Sequence, residues 1–176
     1  MGTQTAQLAG SLQEEDFTLV QPLRGWAAWR LRSGSDVVGL LRHARGRGWR
    51  RTAETAEGGW LLKADGELLT AHEPETDEEV ARLERGSLHL ADGREFLWSY
   101  ARLYGNYDLK AQNGDILIRL RLKFSWRNTV LIHFEPAAQM LPQPLLVALL
   151  GTYSILCRQR EWGRDLAVNM NDAIRG

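Results

Sequence analysis

A chain of 176 residues, 44% hydrophobic and 25% charged, is sized and balanced for one globular domain with its own core. Its 22 basic and 22 acidic side chains cancel, so bulk charge gives no reason to expect a nucleic-acid partner. The single cysteine, Cys157, excludes an internal disulfide and a thiolate zinc site.

Residues 1–16 are polar and small and read as a loose arm. Met1-Gly-Thr-Gln-Thr-Ala6 has neither the basic start nor the apolar core of a secretory leader, so a cytoplasmic location is expected. From Phe17 onward, short apolar-rich segments recur between turn signals. Strands are expected at 17–20, 28–31, 37–42, 49–55, 60–64 and 67–70, separated by Ser33-Gly34, Gly58-Gly59 and Asp65-Gly66 among others. A short helix is expected at 77–85, because Thr76 with Glu79 makes a capping-box pattern and Gly86 is placed to end it. Charge is segregated along this half. Residues 20–63 carry nine basic and three acidic groups, and residues 64–95 carry three basic and ten acidic ones.

The second half reads more sharply. Strands at 87–90 and 95–100 flank Asp92-Gly93, and a strand at 107–112 precedes Asn113-Gly114, both hairpin signals. The segment 115–127 alternates over thirteen residues. Ile116, Ile118, Leu120, Leu122, Phe124 and Trp126 face one way, and Leu117, Arg119, Arg121, Lys123, Ser125 and Arg127 the other. A turn at Arg127-Asn128 leads into a strand at 129–134, after which Pro136, Pro142 and Pro144 break the sheet. Residues 145–157 are apolar around the whole circumference of a helix expected to span 145–160. Thirteen helical residues measure about 20 Å, against about 30 Å for the hydrocarbon core of a bilayer. No transmembrane span is expected. The helix is expected to be surrounded by protein, with a polar tail at 162–176.

A run of hairpins ending in one wholly apolar helix resembles the tubby-like superfamily, which includes the phospholipid scramblases and the LURP-one-related proteins. Local patterns are similar too: Trp60-Leu-Leu-Lys-Ala-Asp-Gly66, Gly93-Arg-Glu-Phe-Leu-Trp98, and Tyr107-Asp-Leu-Lys-Ala-Gln-Asn-Gly114 leading into Ile116-Leu-Ile-Arg-Leu-Arg121. The resemblance covers residues 17–161. It implies a mostly β fold, a closed antiparallel barrel around a buried hydrophobic C-terminal helix, and binding of phosphoinositide-like anionic phospholipid. The polar residues after Glu161 depart from the scramblase pattern.

The best candidate site is the cationic strand face of Arg119, Arg121, Lys123 and Arg127. Cations about 6–7 Å apart along a strand can meet lipid phosphates. The reading is therefore a non-enzymatic binding or scaffold module, peripheral to a membrane, with anionic lipid or a protein as partner. The alternative is a small-molecule carrier or small enzyme with a pocket at the barrel mouth near His133. The stretch Arg42-His-Ala-Arg-Gly-Arg-Gly-Trp-Arg-Arg51 is basic and aromatic, yet no nucleic-acid recognition motif accompanies it, and it reads as a solvated hairpin tip. The acidic run 73–79 lacks the spacing of a calcium loop and reads as the start of the 77–85 helix. His43, His72, His89 and His133 have no metal-ligand spacing. No nucleophile elbow, P-loop or dinucleotide fingerprint occurs, so no catalytic residue, metal or cofactor is expected.

Overall fold

The computed structural model of the chain describes residues 16–20, 28–43, 49–101, 105–123 and 129–158. Twelve strands follow one another: β1 (Asp16–Val20), β2 (Trp29–Ser33), β3 (Asp36–His43), β4 (Trp49–Thr55), β5 (Gly58–Asp65), β6 (Leu68–His72), β7 (Glu79–Glu84), β8 (Ser87–Leu90), β9 (Glu95–Ala101), β10 (Asn106–Lys110), β11 (Ile116–Lys123) and β12 (Thr129–Phe134). Every strand pairs antiparallel with its chain neighbours, and β1 closes the barrel by pairing with both β2 and β12. Closure leaves no edge strand to protect. A 3-10 helix, Pro136–Met140, leads into the α-helix α1 (144–158).

Period-two alternation decides which side chains meet inside. Phe17, Leu19, Trp29, Leu31, Trp60, Leu62, Ile118, Leu120, Val130 and Ile132 are buried and share one apolar cluster with residues Leu145–Leu150 of α1. The rings of Phe17 and Phe134, from the first and last strands, meet edge-on at 5.2 Å across the closing pair. The alternation expected for β11 holds at Ile118, Leu120 and Leu122, which face in, and at Arg121 and Lys123, which are exposed. It slips at the start of the strand. The β10–β11 register shifts between Leu109 and Lys110, leaving Leu117 fully buried on the side assigned to solvent, while Ile116 is only half-buried. The remainder of the expected 115–127 strand, with Phe124, Trp126 and Arg127, lies outside the described residues.

The helix expected at 77–85 is instead β7. Ala81 and Leu83 point inward at a spacing of two and pair with Ala71 and Leu69 of β6. Thr76 does not cap a helix: its hydroxyl accepts the Glu78 N–H at 3.3 Å, a local turn contact. Nor does Gly86 end one. Arg85 (φ 48°) and Gly86 (φ 87°) are the two positive-φ positions of the β7–β8 hairpin turn. The acidic run is the β6–β7 connection, where Asp77 holds Lys63 at 2.6 Å.

Contacts of α1 with the strands come from distant parts of the sequence. At its first turn the Glu57 carboxylate, from the β4–β5 turn, accepts the backbone N–H groups of Leu145 (3.1 Å) and Leu146 (3.2 Å). These are donors that a helix start leaves without intrahelical partners. Midway along, Gly151 faces the Trp98 ring so closely that a Cβ there would lie 2.3 Å from it. At the last turn Cys157 and Arg158 lie beside the β7–β8 turn at Gly86.

Candidate functional site: a basic outer face and a barrel-end cavity

Outward positions of β11, β12, β1 and β2 line up in rows across the sheet, set by register. In one row Lys123 pairs with Thr129, Thr129 with Val20, and Val20 with Arg30. In the next, Arg121 pairs with Leu131, Leu131 with Thr18, and Thr18 with Arg32. Two cation columns, Arg121/Lys123 and Arg30/Arg32, therefore flank a neutral strip of Thr18, Val20, Thr129 and Leu131. Three strand spacings separate the columns by about 14 Å. Among the described residues none of these four cations stands in an ion pair.

Arg119, one row further along, is different. Its Nε donates to Glu135 at 2.6 Å. It pairs in register with His133, whose Nδ1 is 2.8 Å from Asp16 and whose Nε2 is 3.8 Å from Glu135. Glu135 thus answers the Arg119 charge, and Asp16 and His133 complete a mixed-charge row. Of the four cations expected to act together, Arg121 and Lys123 share an open face, Arg119 is tied into a mixed-charge row, and Arg127 lies outside the described residues. Sequence reading missed Arg30 and Arg32. The alternation Trp29-Arg-Leu-Arg32 was a visible signal, but their neighbourhood depends on closure.

No family model, curated protein or solved structure matches this chain. Function therefore rests on the chemistry of its own side chains.

His133 lies on the outer wall near the helix-start end, and Cys157 on the last turn of α1 at the other end, so the two form no catalytic pair. Among the described residues no cluster of three or more His, Cys, Asp or Glu side chains could hold a metal ion. No described helix is long and apolar enough to cross a membrane. The hydroxyls of Thr152 and Ser154 donate to carbonyls of their own helix, Ala148 at 2.9 Å and Gly151 at 2.7 Å. A cavity of about 170 Å³ opens beside Trp98, Ser154 and Cys157 at the C-terminal end of α1. A second, wider hollow of about 450 Å³ lies between Arg94, Asn113 and Met140 at the opposite end.

A half-buried acid marks where α1 is held. Burial pushes the Glu57 carboxyl above its ordinary value, against the opposing pull of the Leu145 and Leu146 N–H groups. Burial likewise pushes the Tyr107 hydroxyl up to about 12 and raises that of Tyr153. Neither tyrosine hydroxyl is poised to exchange protons near neutrality.

Proposed function

We propose that this chain is a non-enzymatic binding module of tubby-like type, with α1 threading the barrel, that contacts anionic phospholipid through Arg30, Arg32, Arg121 and Lys123. The observation that carries the reading is the pair of cation columns on one outer face, with no carboxylate between them in either row. Guanidinium and ammonium groups on that spacing suit several phosphates at once better than a single ion. The apolar-in, charged-out pattern of the described strands is the reverse of a membrane-spanning barrel and fits a protein lying against a surface. The module would work from the cytoplasm, peripheral to the membrane.

The test is co-sedimentation with phosphatidylcholine vesicles, with and without phosphatidylserine or a phosphoinositide, across a salt series. Each cation near an anionic surface contributes about 1 kcal/mol, so the variant Arg121→Glu/Lys123→Glu should bind at least about tenfold more weakly. Added salt should weaken the wild type in the same way. Undiminished binding by the fourfold reversal of Arg30, Arg32, Arg121 and Lys123 overturns the site.

A further inference from the structure

Independently of the outer face, the barrel end beside residues 154–158 of α1 has a built recess. Its floor is apolar: Leu69 and Leu83 are each 5% exposed and Trp98 is 9%. Its depth has a physical origin. The Trp98 ring is held against Gly151, and the glycines at the two flanking turns, Gly66 and Gly86, contribute no side chains. On α1, Ser154 offers only a hydroxymethyl group where Ile155 and Leu150 elsewhere fill space. The rim carries two cations, Arg85 and Arg158, and one acid, Glu67, and the exposed Arg85 has Glu84 at 3.8 Å as a loose ion-pair partner. Arg158 is held in place over the Tyr100 ring, with its guanidinium carbon 5.9 Å from the centroid.

The geometry points to a binding site for a small organic monoacid with a flat apolar body. The body lies on Trp98, Leu69 and Leu83, and the carboxylate meets the guanidinium groups at the rim. Size follows from the volume: an apolar cavity of roughly 150 Å³ holds one benzene ring, so about 170 Å³ admits a single ring. Polarity follows from charge. Arg85 and Arg158 attract an anion to the rim. Glu67 beside them disfavours a second negative charge on the ligand.

Cys157 supplies the readout, being the chain's single cysteine and part of the cavity wall. Full-length protein is alkylated with iodoacetamide against increasing phenylacetate and followed by intact mass. Saturable protection is expected with Kd on the order of 1 mM, the affinity usual for a ligand of this size. Arg85→Glu should weaken protection about tenfold or more, as loss of a charge-assisted contact does, with protection in each protein taken relative to its own alkylation rate in the absence of the acid. Phenethylamine, with the same ring and opposite charge, should not protect at matched concentration. Should Cys157 resist alkylation, methyl chemical shifts of Leu69 and Leu83 read the same titration. No response to the acid, equal response to phenethylamine, or full protection in Arg85→Glu overturns the inference.

Discussion

Gly151→Ala sets two effects against each other on α1. Replacing glycine inside a helix ordinarily gains about 1 kcal/mol from reduced backbone freedom. Here the new methyl would lie 2.3 Å from one Trp98 ring carbon, 2.9 Å from another and 2.9 Å from Leu120 Cδ1. Carbon atoms prefer about 3.5–4.0 Å, so the indole must withdraw by more than 1 Å relative to α1. On the Tyr107 side it has little room to do so, since Trp98 packs against Tyr107 at 5.9 Å and Tyr107 stacks on Tyr100 at 4.5 Å. Overpacking of this kind costs about 1–3 kcal/mol, and more when aromatic rings must shift. The clash wins, with a net loss of about 1–2 kcal/mol. At urea slopes of about 1–3 kcal/mol/M, the midpoint falls by on the order of 1 M. Urea unfolding followed by far-UV circular dichroism measures it. Trp98→Phe should relieve the clash, so the double variant should lose less than the sum of the singles by at least about 0.5 kcal/mol. A neutral or stabilising Gly151→Ala would refute the placement of Trp98 against the helix.

Three further perturbations separate the roles assigned above. Glu57→Ala leaves the Leu145 and Leu146 N–H groups without their acceptor and should cost about 1–3 kcal/mol in the same unfolding assay. Because burial raises the Glu57 carboxyl in the fold, its contribution is fully present below the ordinary glutamate range and is lost as pH rises through the raised folded value. The stability of wild type relative to Glu57→Gln should therefore decline from acidic to neutral pH, and a flat or rising difference would contradict the burial. Arg119→Gln should leave vesicle binding within about twofold, since the charge it removes is already answered by Glu135, whereas Arg121→Glu/Lys123→Glu should not. Equal losses in the two variants would restore Arg119 to the site.

What could be read in advance follows the range of the interactions. The inner face of β11 was legible because Ile118, Leu120 and Leu122 recur at a spacing of two, a purely local signal. The β7 segment was misread because Thr76, Glu79 and Gly86 match the chemistry of helix ends, while only two apolar residues, Ala81 and Leu83, carried its strand period. Pairing with Leu69 and Ala71 settled the contest, and no window around residue 80 contains that information. Arg121 and Lys123 were visible as half of a face. The other half, Arg30 and Arg32, joins them only because β1 bridges β2 to β12. Neutralisation of Arg119 was equally hidden, since Glu135 lies beyond the end of β12, sixteen residues away. The recess at the end of α1 is assembled from turn glycines and one helical turn, none of which stands out alone.

Eleven of the twelve strand pairings join chain neighbours, and the twelfth joins the two ends of the barrel, bringing His133 to Asp16 across 117 residues. While the chain grows, β1 must wait for almost everything else to be made before its second neighbour exists. Throughout that interval it presents an unpaired edge with Phe17 and Leu19 on its apolar side. The last fastening is thus also the slowest to arrange, since local hairpins form long before so distant a contact. It is the one place where two copies can trade strands, β1 of one zipped to β12 of another, with every hairpin left intact.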